Sequence, residues 1–125
     1  IINLKKRQVT SFNIMNKQKL KIIDIGHQNL NLENALSLLE TTISKTVYEG
    51  DTRAVKVITG HGSGKLRDSV RSWLDEQEGR FQAVIIGEEY HMFNKDASDM
   101  RAECNVKNDP DFGKKNSAVT YIWLW

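Results

Sequence analysis

The feature that most constrains the fold is a repeated change in the spacing of apolar residues along the chain. Short runs rich in β-branched residues, typical of buried strands, occur at residues 20–25, 54–59, 81–86 and 118–124. Between the first three runs, apolar residues recur every three or four positions, which is the period of an amphipathic helix. Alternating strands and helices favour right-handed crossovers and a parallel sheet. The sequence therefore predicts an α/β fold with the order β-α-β-α-β-β.

The first helical segment has the clearest period. Its apolar residues follow at steps of four, three, four and four, namely Leu32, Leu36, Leu39, Ile43 and Val47. Asn31 is suited to the N-cap and Gly50 to the C′ position. The pattern predicts one helix that ends near Glu49.

A long connection separates the third and fourth strands. Residues 87–117 exceed the length of most loops in compact domains, so this segment either contains structure of its own or is mobile. A short helix with Asp96 as N-cap is one expectation for it. Tyr90, His91 and Phe93 are interpreted as loop anchors or as side chains that stack on bases. The last strand is expected to run antiparallel to its neighbour.

Basic residues are concentrated at the start of the chain. Residues 1–23 carry six Lys or Arg and no acid, whereas the remainder carries 12 basic and 16 acidic residues. This asymmetry predicts a basic leader at residues 1–18, which either contacts a polyanion or is simply solvated, and one domain at residues 19–125. The single cysteine, Cys104, forms no internal disulfide, which fits a reducing, cytoplasmic setting. The apolar runs are too short for a membrane-spanning helix, so no membrane partner is expected.

A glycine-rich segment joins the second strand to the second helix. It comprises Thr59, Gly60, His61, Gly62, Ser63 and Gly64, and the basic residues Lys65 and Arg67 follow it. Glycines permit positive φ and close approach of a ligand, and the first turn of a helix presents unpaired N–H groups. The pattern predicts either an anion site, most simply for a phosphate, or a tight connection whose glycines serve geometry alone. Its spacing matches neither a Walker A loop nor a dinucleotide-binding fingerprint.

Asp24 ends the first strand and is expected near Gly60, because ligands of parallel α/β sheets bind where the carboxyl ends of the strands converge. A carboxylate beside a histidine supports phosphodiester cleavage, by holding a divalent cation such as Mg²⁺ or Mn²⁺ or by activating a water. Asp24 with His27 or His61 provides such a pair. The alternative interpretation of Asp24 is a helix cap or a hydrogen-bond hub. No paired Cys or His spacing predicts a structural zinc site.

Two motifs resemble the Smr (small MutS-related) domain family. Residues 57–67 are similar to its signature, in which a strand runs into Thr/His-Gly-x-Gly-x-Gly-x-Leu-Arg. Asp24, followed by His27 and a helix start with Leu32, Glu33, Ala35 and Leu36, resembles the family's Leu-Asp-x-His/Arg-Gly opening. The opening motif departs from the family, because Gly26 stands where the family has His or Arg and the histidine comes one residue later.

The resemblance implies a two-layer sandwich with a mostly parallel four-stranded sheet, like the C-terminal domain of bacterial translation initiation factor three. It also implies an endonuclease that nicks DNA or cleaves RNA. A non-catalytic module that docks on DNA, RNA or a ribosome through the same glycines is the alternative. The long connection is a second departure from the family, whose equivalent segment is shorter.

The candidate residues follow from both lines of reasoning. The candidate catalytic residues are Asp24, His27 and His61. The candidate substrate-binding residues are Thr59, Gly60, Gly62, Ser63, Gly64, Lys65 and Arg67. No metal ligand set is assigned, and a divalent cation is the one cofactor considered. Neither the choice between DNA and RNA nor the oligomeric state follows from the sequence.

Overall fold

The computed structural model describes residues 17–125, so the predicted basic leader lies almost wholly outside the described residues. The elements follow in the order β1 (Leu20–Asp24), α1 (Leu32–Glu49), β2 (Ala54–Ile58), α2 (Lys65–Asp75), β3 (Ala83–Ile86), a 3₁₀ turn (Gly87–Glu89), α3 (Lys95–Glu103) and β4 (Val119–Trp123). This order confirms the predicted alternation of strands and helices. In this part of the chain, no helix is long and apolar enough to cross a membrane.

The four strands form one mixed sheet in the order β1-β2-β4-β3. β1 and β2 are parallel, whereas β4 lies between β2 and β3 and runs antiparallel to both. The prediction of a mostly parallel sheet is therefore wrong, although the expected antiparallel last strand is confirmed. The physical reason is the path of residues 87–117, which return across the sheet and bring β4 back in the opposite direction.

Helix α1 forms where the apolar spacing predicted it. The Asn31 side chain accepts a hydrogen bond of 2.8 Å from the Asn34 N–H, and Gly50 ends the helix with φ of +76°. The buried face, however, consists of Ala35, Leu39, Ile43 and Thr46, while Leu32 and Val47 at the two ends of the predicted stripe are exposed. The predicted apolar stripe is therefore buried at its centre, whereas its two end residues are exposed to solvent.

One face of the sheet packs against α1 and α2. The core on this face combines residues of both helices with alternate residues of β2 and β4, namely Ile25, Ala35, Leu39, Ile43, Val55, Val57, Val70, Leu74, Ile122 and Leu124. We call this the first face. Burial of these apolar side chains fixes α1 and α2 across the sheet and so fixes where each helix begins.

The opposite face, called here the second face, is covered by residues 87–117. Its core joins α3 to the other side of β2, β3 and β4 through residues including Ala54, Ile85, Tyr90, Met100, Cys104, Tyr121 and Trp123. The expectation of two layers is therefore wrong, because the connection supplies a third. The connection contains the predicted short helix, but its N-cap is Asn94, which accepts from the Ala97 N–H at 2.9 Å, and not Asp96.

A buried ionic network fastens the connection to the second face. Lys56 is a strand residue whose side chain is 5% exposed, and its Nζ lies 2.7 Å from Asp109 Oδ1 and also contacts Asp111. The Tyr121 hydroxyl donates to the other Asp109 oxygen at 2.6 Å. Tyr121 in turn stacks on Tyr90, with ring centroids 3.9 Å apart. These contacts hold two distant parts of the connection against the middle of the sheet.

Candidate functional site

The ends of β1 and β2 meet at one edge of the sheet, called here the carboxyl edge. Asp24 pairs with Ile58 in the parallel register, and the N–H groups of Ile25 and Gly26 both donate to the Ile58 carbonyl oxygen, at 3.0 and 3.2 Å. A Cβ on Gly26 would lie 2.4 Å from the Thr59 carbonyl oxygen, so only glycine fits there. These contacts confirm that Asp24 and the glycines after β2 lie on neighbouring strand ends.

Asp24 and His27 form a hydrogen-bonded pair at this edge. The His27 Nδ1 lies 2.9 and 2.7 Å from the two carboxylate oxygens of Asp24, and the Gly26 N–H donates to Asp24 Oδ1 at 3.0 Å. Because an ionised carboxylate only accepts hydrogen bonds, Nδ1 of His27 carries the hydrogen in this pair, and in the neutral ring Nε2 is the nitrogen without one. The two side chains are 41% and 71% exposed, so the pair is open to solvent.

His27 lies beside the turn of residues 60–64, called here the glycine turn. A Cβ built on Gly60 would come 4.0 Å from His27 Cε1. The histidine that follows Gly26 thus reaches both the Asp24 carboxylate and the glycine turn. His61, the second predicted histidine, is exposed within that turn.

The glycine turn has the backbone that its composition predicts. Gly60, Gly62 and Gly64 have φ of +75°, +38° and +84°, values that L-residues with a Cβ rarely adopt. Gly64 is the N-cap of α2 and has no side chain to bond the first N–H groups of that helix. The Lys65 N–H donates to Ser63 Oγ at 3.4 Å, and the positive end of the helix dipole favours an anion near the N–H groups that follow.

A cleft of about 190 Å³ opens at the glycine turn. Its lining comes from the ends of β1 and β2 and the start of α2, namely Gly26, Thr59, Gly60, His61, Gly62, Ser63, Gly64, Leu66 and Arg67. One water takes up about 30 Å³ in the liquid, so the cleft has room for a group the size of a phosphate. The structure thus brings most of the predicted binding residues together around one small polar opening.

Two predicted binding residues have other roles. The Thr59 hydroxyl donates to the Ala118 carbonyl oxygen at 3.1 Å and is buried, so it joins β2 to the start of β4. Lys65 is exposed but does not line the cleft. Arg67 does line it, and its guanidinium lies against Gly64, 2.5 Å from where a Cβ would stand. Among the basic side chains considered, Arg67 is therefore the one placed to contact an anion in the cleft.

Sequence analysis did not single out the contacts of Arg71, one turn further along α2. Its guanidinium makes two hydrogen bonds to Glu88, at 3.0 and 2.8 Å, and others to Thr120 Oγ1 and to the carbonyl oxygens of Ser117 and Val119. The hydrogen bonds from Arg71 hold the pKa of Glu88 below its ordinary value. Arg71 therefore fixes α2 to the ends of β3 and β4 and is not available to a ligand. Its partners lie 17 or more positions away, and no local signal identifies them.

The donor set at the carboxyl edge does not fit a protein-held divalent cation. Among residues 17–125, no three His, Cys, Asp or Glu side chains converge to hold a metal. Asp24 is the single carboxylate among the predicted catalytic residues, and both of its oxygens already face His27 Nδ1. Asp24, His27 and His61 are the groups at this edge that could carry acid–base chemistry.

Comparison with known proteins agrees with the glycine-rich motif, whereas Asp24 of the opening motif lies outside the matched residues. The model of the Smr domain family matches residues 26–91, more than half of the chain. The crystal structure of the Smr domain of Thermus thermophilus MutS2 superposes with a TM-score of 0.54 and 18% sequence identity, covering 84% of this chain and 98% of that one. At that identity the likeness concerns the fold. Comparison with curated proteins gives no significant match, and the expected likeness to initiation factor three stays a prediction.

Proposed function

The chain belongs to the Smr domain family, and from that premise we propose that its carboxyl edge binds nucleic acid and cleaves a phosphodiester bond. Smr domains are nucleic-acid-binding domains, which gives the class of ligand. The observation that carries the proposal is the Asp24–His27 pair beside the glycine turn, because it puts a proton acceptor next to an anion site.

The glycine turn supplies the phosphate contacts. A phosphate in the cleft accepts hydrogen bonds from the first N–H groups of α2, and Arg67 adds a positive charge at the wall. These contacts are independent of base identity, so they position a strand without reading its sequence. They also strengthen as negative charge develops on the phosphate oxygens, which is the requirement for transition-state stabilisation.

His27 acts as general base in this scheme. Asp24 accepts the hydrogen on Nδ1 and so orients the ring with Nε2 as proton acceptor. Nε2 removes a proton from the attacking oxygen, a water or a ribose 2′-hydroxyl, as that oxygen bonds to phosphorus. The bond from phosphorus to the leaving oxygen breaks, and His61 in the glycine turn gives that oxygen a proton. Each step uses a residue at the same edge of the sheet.

The basic leader extends the same function. We propose that residues 1–18 add phosphate contacts outside the cleft, since they carry four lysines and arginines and no acid. For single strands, each lost contact lowers the slope of log affinity against log salt by about 0.7. Deletion of residues 1–16 should reduce that slope by about 2 at most, because three basic residues are lost. An unchanged slope would mean that the leader does not touch the nucleic acid.

A cleavage assay tests the central proposal. The purified chain is incubated with labelled supercoiled DNA and with a structured RNA, in EDTA, in Mg²⁺ and in Mn²⁺. We expect cleavage of at least one substrate to persist in EDTA, because the scheme needs no bound metal. His27→Ala should abolish that cleavage while affinity, measured by fluorescence anisotropy, stays within about twofold of the parent.

Gln28→Ala is the matched control, because Gln28 lies in the same exposed loop and its side chain contacts the backbone carbonyl of Asp24 and not the carboxylate. It should cleave as the parent does. Salt-dependent binding without cleavage of any substrate would replace the enzyme with a docking module. Absence of binding to both DNA and RNA would overturn the proposal as a whole.

A further inference from the structure

The loop of residues 90–94, which leads into α3, presents two large apolar side chains to solvent. Met92 is 68% exposed and Phe93 86% exposed. Tyr90 in the same loop is fully buried and stacked on Tyr121. Tyr90 is therefore the anchor of this loop, which is one of the two roles that the sequence left open for its aromatic residues. Phe93 does not pack in the core, so its ring suits the other role, stacking on a base.

The backbone of this loop is held by several hydrogen bonds. The Asn94 N–H donates to the His91 carbonyl oxygen at 3.1 Å, and the Phe93 N–H donates to His91 Nδ1 at 3.2 Å. The Gly113 N–H donates to the Tyr90 carbonyl oxygen at 2.9 Å. The exposed Phe93 ring is thus presented from a fixed backbone, which lowers the entropy lost when a ligand binds to it.

The strand that leads into this loop ends at the same edge of the sheet as the glycine turn. Ile86 at the end of β3 pairs with Thr120, and Ile58 at the end of β2 pairs with the adjacent Val119, so the two strands end at the same level. Strands in a sheet lie about 4.8 Å apart. The end of β3 is therefore roughly 10 Å from the end of β2 and roughly 14 Å from Asp24 across the sheet, a span that a few nucleotides of single strand cover.

Two exposed lysines lie in the segment that runs beside the end of β3. Residues 113–117 run beside the end of β3, since a Cβ on Gly87 would overlap the Asn116 carbonyl oxygen, and this segment contains Lys114 and Lys115, both exposed. Of the nearby acids, Glu88 is paired with Arg71, and Glu89 is 58% exposed. The charge at this end of the edge complements a phosphate backbone.

We propose that Phe93 is a base-stacking platform for single-stranded nucleic acid whose phosphate occupies the cleft at the glycine turn. This inference rests on the proposed function. An exposed ring stacks on any base, but only on a base whose face is free, so the platform selects single strands or unpaired loops over continuous duplex. Lys114 and Lys115 contact the phosphates on either side of the stacked base.

The test compares three fluorescent probes of equal length by anisotropy: a natural 12-nucleotide single strand, an abasic strand with the same sugar-phosphate backbone, and a duplex. Loss of a stacked base costs about tenfold in affinity or more. We expect Phe93→Ala to lose about that much on the natural strand and nothing on the abasic strand. Phe93→Trp should retain the affinity of the parent, because a larger aromatic face still stacks.

Tyr48→Ala is the matched control. Tyr48 is 92% exposed near the end of α1, at the opposite edge of the sheet, so its loss should leave all three affinities unchanged. An equal loss on natural and abasic strands, or no loss on either, would overturn the stacking platform while leaving the proposed function in place. Failure of the parent to bind any probe would overturn the proposed function and this inference together.

Discussion

Two carboxylates of this chain that bond to side-chain nitrogens lie in opposite environments. Lys56 and Asp109 on the second face are 5% and 2% exposed, and Tyr121 completes the bonding of Asp109. Asp24 and His27 at the carboxyl edge are 41% and 71% exposed. In the part of the chain that the structure describes, no buried side-chain nitrogen or oxygen lacks a hydrogen-bond partner. The polar atoms of the buried group are thus bonded within the protein, whereas the exposed pair can be reached by a ligand.

The pKa values of the buried group support this difference. Burial by itself lowers the pKa of Lys56, but the hydrogen bonds to Asp109 and Asp111 raise it above its ordinary 10.5. Burial likewise raises the pKa of Asp109, but the bonds from Lys56 and Tyr121 hold it below its ordinary 3.8. Both groups therefore stay charged between these limits, and they serve stability. A proton acceptor for catalysis must instead be reachable from outside.

The largest effect is expected for Asp24→Asn, which removes the carboxylate of the exposed pair and should slow cleavage. The amide no longer holds the His27 ring with Nε2 as acceptor, so single-turnover cleavage should fall by about 10²- to 10⁴-fold, the usual contribution of general base catalysis. Affinity should change little, because the glycine turn is intact. Quenched-flow cleavage and anisotropy on the same protein measure both quantities. A parallel loss of affinity and rate would instead make Asp24 a binding or folding residue.

Lys56→Met should break the buried group without touching the carboxyl edge. Methionine fills a similar volume but leaves the Asp109 carboxylate buried without its cation, which costs about 3–5 kcal/mol of unfolding free energy. For a domain of this size, that lowers Tm by on the order of 15 °C. The control is Lys45→Met, whose lysine is 68% exposed and only 3.8 Å from Glu49, because such surface pairs contribute about 0–1 kcal/mol. Equal melting temperatures for the two variants would contradict the comparison.

Gly62→Ala and Gly50→Ala compare the same substitution at the carboxyl edge of the sheet and at the opposite edge. Both glycines have positive φ, +38° and +76°, and a Cβ at either position meets no atom within 4 Å. Each substitution should therefore cost about 1–2 kcal/mol of stability from backbone strain alone. Only Gly62→Ala should also weaken nucleic-acid binding, by several-fold, since only Gly62 lines the cleft. Urea unfolding and anisotropy on both variants give the result, and equal affinities would reduce the glycine turn to a connector.

We expect the smallest effect on the unfolding free energy at acidic pH. Because the folded pKa of Asp109 is lower than its unfolded value, this carboxylate stabilises the fold above about pH 4 and loses that contribution as the pH falls through the folded pKa. Asp109→Asn should therefore flatten the decline of unfolding free energy between pH 5 and 2, as measured by urea titration at each pH. Asp51→Asn, at the exposed end of the turn after α1, should keep the parent's decline. If the unfolding free energy of all three proteins declined identically toward low pH, Asp109 would not be a source of the acid sensitivity of the fold.

The fold was predictable wherever the signal was local. The caps of α1, the alternation of elements and the approach of Asp24 to Gly60 all depend on neighbouring residues or on the general convergence of parallel strand ends. The place of β4 was not predictable, because it depends on the path of residues 87–117. The ends of the α1 stripe were also missed, since Leu32 and Val47 are exposed and not buried.

The candidate site was predictable in its residues but not in its contacts. Asp24, His27 and the glycine turn follow from residue type and position, and the structure brings them together. Whether Thr59 binds a ligand depended on Ala118, 59 positions away, and that contact has no sequence signature. The same holds for Lys56, whose partner Asp109 lies 53 positions away. The sequence around a strand lysine does not indicate whether a distant segment of the chain will cover it.

The position of β4 also governs the order of events during synthesis. As the chain leaves the ribosome, β1 and β2 can pair at once, but β3 has no hydrogen-bonding neighbour until residues 119–123 emerge and insert between it and β2. Such pairing between distant segments slows folding, because the intervening loop must close before any contact forms. Until then β2 presents an unpaired edge to other nascent chains. The sheet is therefore complete only after its last strand in sequence has inserted between β2 and β3.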